Sequence, residues 1–109
     1  MKKLILFCCV ALATSITNAQ VSWTAQNSAF GNASTGMNSI RIVDNTTAWA
    51  LGYDASTTAA NYQTFTKTST SGATWSSGTI NLGDTSLLIS DISAVSATTA
   101  WTIATPTNG

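Results

Sequence analysis

Few side chains in this sequence can do chemistry. The acids are Asp44, Asp54, Asp84 and Asp91, with no Glu and no His. The bases are Lys2, Lys3, Arg41 and Lys67, and the thiols are Cys8 and Cys9. Acid–base cleavage of a glycoside needs two carboxyl groups held across one bond, and these four Asp are dispersed along the chain. A transition-metal site draws on His, Cys and carboxylate side chains at ligand spacing, and no such cluster is present. The sequence therefore predicts no catalytic, metal-binding or cofactor-binding residue, and no cofactor. Four indoles remain: Trp23, Trp49, Trp75 and Trp101. An indole stacks on a sugar or plugs an apolar layer. These four recur every 26 residues. A stacking platform is local, whereas a plug recurs with its structural unit, so the spacing predicts core plugs.

The spacing also reveals the unit that must position them. Flanking residues alternate, so the full repeat is 52 residues with two tryptophans in each. Thr46-Thr47-Ala48-Trp49 recurs as Thr98-Thr99-Ala100-Trp101. Ile40 and Val43 match Ile92 and Val95, and Ser22-Trp23 matches Thr74-Trp75. Phe30-Gly31 aligns with Leu82-Gly83. A fixed period of this length marks a chain built from stacked supersecondary units.

Residues 1–19 read as a secretory signal peptide. Lys2 and Lys3 form a positive start, Leu4 to Leu12 is a short apolar run, and Thr17-Asn18-Ala19 offers small cleavage-site residues. The run is too short to span a bilayer, so no stable membrane span is expected after cleavage. Both cysteines leave with the leader. Two bases against four acids then give the mature chain a net charge of −2. That balance, with no clustered Lys or Arg, excludes nucleic acid as a partner. Secretion, or display at the cell surface, is the expected destination.

The mature chain alternates apolar and polar residues in short runs bounded by turn residues, the pattern of an all-β protein. Candidate strands are 21–30, 39–43, 47–53, 62–68, 73 onward, 87–95 and 98–103. On the third run Trp49, Leu51 and Tyr53 share one face. Ala48, Ala50 and Gly52 form a small-residue face that admits close approach. Asp44-Asn45-Thr46 is turn chemistry, since an Asx side chain bonds backbone two residues on. About four short strands per repeat predict a propeller blade.

One segment carries a family resemblance. Thr68-Ser69-Thr70-Ser71-Gly72-Ala73-Thr74-Trp75 resembles the Asp-box, or BNR repeat, of pattern Ser-x-Asp-x-Gly-x-Thr-Trp. Gly72, Thr74 and Trp75 match the pattern, Thr68 replaces its Ser, and Thr70 replaces its Asp. In that family the box is structural and closes the hairpin between the third and fourth strands of a blade. The stretch from Ile40 to Gly52 is similar to blade strands of photosystem II assembly factor-like and sortilin- or sialidase-type propellers. The resemblance implies an exported bacterial β-propeller, often followed by a sorting domain of the type IX secretion system. Ile40-Arg41-Ile42-Val43 is similar to the Arg-Ile-Pro segment of sialidases. It lacks the Pro, and the repeat partner of Arg41 is Ser93, so Arg41 is expected to face solvent.

These readings predict a signal peptide at 1–19 and, over 20–109, the N-terminal part of a β-propeller with one full and two partial blades. The expected function is a non-catalytic module binding a protein or glycan. The alternative is the start of a propeller hydrolase of sialidase or glycosidase type, with its catalytic residues on further blades. N-terminal sequencing of exported protein is expected to begin at Gln20 or Val21. A mature start at Met1 would refute the leader.

Overall fold

A computed structural model describes residues 22–56, 63–84 and 86–107. The expected leader lies outside these residues, as do Val21, Tyr62 and most of the polar loop before it. Six strands follow in order: β1 (Thr35–Ile42), β2 (Ala48–Asp54), β3 (Thr64–Thr68), β4 (Ser76–Thr79), β5 (Leu87–Ala94) and β6 (Ala100–Pro106). β1 to β4 form an antiparallel four-stranded sheet in sequence order, and β5 and β6 form a separate antiparallel hairpin. The fold is all-β.

The repeat is visible in the backbone. β1–β2 and β5–β6 carry the same registers displaced by 52 residues: Ile40 pairs with Ala50 as Ile92 pairs with Thr102. Each hairpin has one irregularity, at Met37/Ser39 in β1 and at Ile89/Asp91 in β5. The extra residues, Asn38 and Ser90, are again 52 apart. A bulge at one fixed place bends and twists the strand the same way in each unit.

The turns repeat even where the residues differ. Val43 N–H donates to the Thr47 carbonyl at 2.9 Å, and Val95 N–H to that of Thr99 at 3.0 Å. Asp44 Oδ1 accepts the N–H groups of Thr46 and Thr47 at 2.7 and 2.8 Å. Ser96 Oγ accepts those of Thr98 and Thr99 at 3.1 and 3.0 Å. Asn32 Oδ1 takes the Ser34 N–H at 3.0 Å as Asp84 Oδ1 takes that of Ser86 at 2.8 Å. A short side-chain oxygen two residues before a donor is the only requirement, so Asp, Asn and Ser substitute for one another.

The two faces of the large sheet are covered differently. Trp49 and Leu51 meet Ile89 and Ile92 of β5 in the apolar core, with Val43, Phe65, Ile80, Leu82, Ala94 and Ala100 packed around them. Trp49 Nε1–H crosses between the sheets to the Ser96 carbonyl at 2.9 Å. Its ring lies 5.1 Å from that of Phe65. Lys67 Nζ sits 4.9 Å over the indole and donates to the Ala97 carbonyl at 2.7 Å. Residues 22–30 cross the small-residue face. Thr66 Oγ1 donates to the Ser28 carbonyl at 2.6 Å, and Ser77 Oγ to that of Ala29 at 2.8 Å. A Cβ on Gly52 would lie 2.8 Å from Phe30 Cζ, so the absent side chain makes room for that ring.

One expectation is corrected here. The described part of the candidate strand 21–30 is not a strand: residues 22–30 form no ladder. Side-chain bonds from β3 and β4 take up carbonyls there instead. Among the described residues Trp23 and Trp101, expected as core plugs, are uncovered: Trp23 is 93% exposed and Trp101 68% exposed. Trp49 is buried because β3 and the β5–β6 hairpin enclose it. Among the described residues no element stands in either position for Trp101.

Trp49→Ala is expected to cost about 3–5 kcal/mol, as aromatic truncations in a core do. Trp101→Ala in dilute solution is expected to stay within about 0.5 kcal/mol of the parent. Urea melts of both variants make the comparison.

Candidate functional site

Two turns lie at the same end of the large sheet. One joins β1 to β2 through residues 43–47, and the other joins β3 to β4 through 69–75. They are bonded together: Ser71 N–H donates to the Thr46 carbonyl at 2.9 Å, and Ser71 Oγ to that of Asn45 at 3.0 Å. The second turn is built as the sequence led us to expect, with a division of labour it did not show. Thr68 Oγ1 accepts the N–H groups of Thr70 and Gly72 at 3.1 and 3.0 Å. Thr70 Oγ1 accepts the Thr74 N–H at 2.9 Å and lies 2.9 Å from Thr74 Oγ1. The hydroxyl at position 70 thus takes up local backbone donors in its turn.

Ser71 and Gly72 both have positive φ, 55° and 85°. Only glycine adopts this backbone without strain. A Cβ on Gly72 would also lie 2.6 Å from Gln26 Oε1. That oxygen accepts the Trp75 Nε1–H at 2.9 Å. Trp75 is half-buried, so it lies across the entry of residues 24–27 onto the sheet and does not fill the apolar core.

A cavity of about 270 Å³ opens between these turns. Ile40, Ile42 and Ala48 form its apolar floor, with Asp44, Thr46 and Trp75 on its walls. Ile42 is 76% exposed and Ile40 49% exposed. A second hollow adjoins it between residues 24–29 and Gly72–Trp75. Sequence reasoning missed the cavity because β1 looked like an ordinary half-buried strand. The signal available was Ile40 and Ile42 alternating with Arg41 beside the small residues of β2.

The charged groups do not converge on the cavity. Arg41 reaches away from it to Asp91 of β5, with Nη2 at 2.7 Å from both carboxylate oxygens. Both partners are more than a third exposed, so solvent screens most of this pair's worth. The sequence did not foretell this pairing; it aims the guanidinium at a neighbouring strand. All four carboxyls sit below the ordinary carboxylate range. The backbone N–H of Thr46, its hydroxyl and the Thr47 N–H lower Asp44. The Ser56 hydroxyl and N–H lower Asp54. The Ser86 N–H and hydroxyl lower Asp84. The Ile92 N–H and then Arg41 lower Asp91. A depressed carboxyl serves as an acceptor, the opposite of the raised value a general acid needs. Among the described residues no group of three or more His, Cys, Asp or Glu is placed to hold a metal ion. Among the same residues no helix is long and apolar enough to cross a membrane.

No family model matches this chain, and no curated protein or solved structure is similar enough to it to count as a match.

A lowered folded-state pKa gives stability that is present above the ordinary value and lost as pH falls through the folded-state value. The melting temperature is therefore expected to hold steady well above pH 3.8 and to fall on acidification through and below it. Asp44→Ser copies the solution that Ser96 provides. It is expected to fold normally at neutral pH and to lose less stability in acid, as read by thermal melts across pH.

Proposed function

We propose that this chain is an exported, non-catalytic β-propeller-type module that binds a protein or glycan at the turn end of its sheets. The observation that carries the reading is the repeated hairpin stacked face to face on its predecessor. A 52-residue unit recurs in register, bulge position and turn bonding. A four-stranded antiparallel meander with the next unit's hairpin laid on its apolar face is how propeller blades follow one another. The Thr68–Trp75 turn closes the third and fourth strands, the place its Asp-box likeness implies. The tightly hydrogen-bonded carboxyls, each engaged in its own turn or ion pair, support a framework role for the charged residues.

The cavity's chemistry favours a protein over a glycan. Its floor is aliphatic, from Ile40, Ile42 and Ala48. The indole beside it, Trp75, is half-buried with its N–H committed to Gln26. Ligand pockets are commonly apolar with a few fixed polar groups, and the turn carbonyls and hydroxyls around Asp44 and Thr46 supply those.

Soluble glycans are accordingly expected to leave tryptophan fluorescence unchanged, and the purified chain is expected not to turn over sialosides or aryl glycosides. Binding to a protein partner is expected to weaken on Ile42→Asp. Saturable turnover that survives purification and disappears on Asp91→Asn would replace this reading with the hydrolase alternative.

A further inference from the structure

We draw no further inference here: the strongest candidate, the outer edge of β4 (Ser76–Thr79), which among the described residues pairs with β3 alone, is a surface strip four residues long, and nothing in the structure shows what covers it.

Discussion

One indole holds the two sheets in place. Trp49 is fixed by Phe65 beside it, by Lys67 over it, and by the Ser96 carbonyl at its N–H. The first two come from its own sheet and the third from the next unit, so one side chain ties together strands that share no backbone ladder. Between the large sheet and the hairpin the remaining contacts are small: aliphatic residues of β5 and β6, the bond from Lys67 to the Ala97 carbonyl, and one solvent-screened ion pair. Burying an aromatic of this size, with its polar atom satisfied, is the largest single apolar contribution such a small core contains. The turn at Ser96 has to present its carbonyl toward the sheet, which is why its hydroxyl-capped geometry matters to packing some distance away.

The repeat also explains how the chain remains ordered with so few charged residues. Each turn satisfies its own backbone donors with a short side-chain oxygen: Asn32, Asp44, Asp54, Thr68, Thr70, Asp84 and Ser96 all do so. Local bonds of this kind set each hairpin's register without help from tertiary contacts. The apolar faces then need only to be brought together.

Much of this was legible in the sequence. The strands that became β2, β5 and β6 were marked by alternation, and the turn at Asp44 by its Asx residue. Thr70 was foreseen as a hydroxyl stand-in, and its bonds to the Thr74 backbone are there. The differences share one physical cause. A 52-residue period tells where a residue stands within its unit, not whether a neighbouring unit is present to cover it. Trp101 occupies the place of Trp49 without its surroundings. Residues 22–30 occupy the place of a fourth strand with no third strand beside them among the described residues, and the Ser28 and Ala29 carbonyls accept from Thr66 and Ser77.

The link between β4 and β5 decides which hairpin closes over Trp49. Residues 80–84 run beside Gln63, whose carbonyl accepts the Ile80 N–H at 2.6 Å and whose Nε2 donates to the Asp84 carbonyl at 3.2 Å. The connection is short and pinned to its own sheet. It holds β5–β6 over Trp49 at an effective concentration on the order of millimolar, as short linkers do. A hairpin from another molecule has to reach that concentration in free solution before it can displace the resident one. Exchange of hairpins between molecules is thus suppressed by the tether, although the contacting surfaces would be identical. Lengthening this link with flexible residues would remove that advantage and turn a folded joint into an exchangeable one.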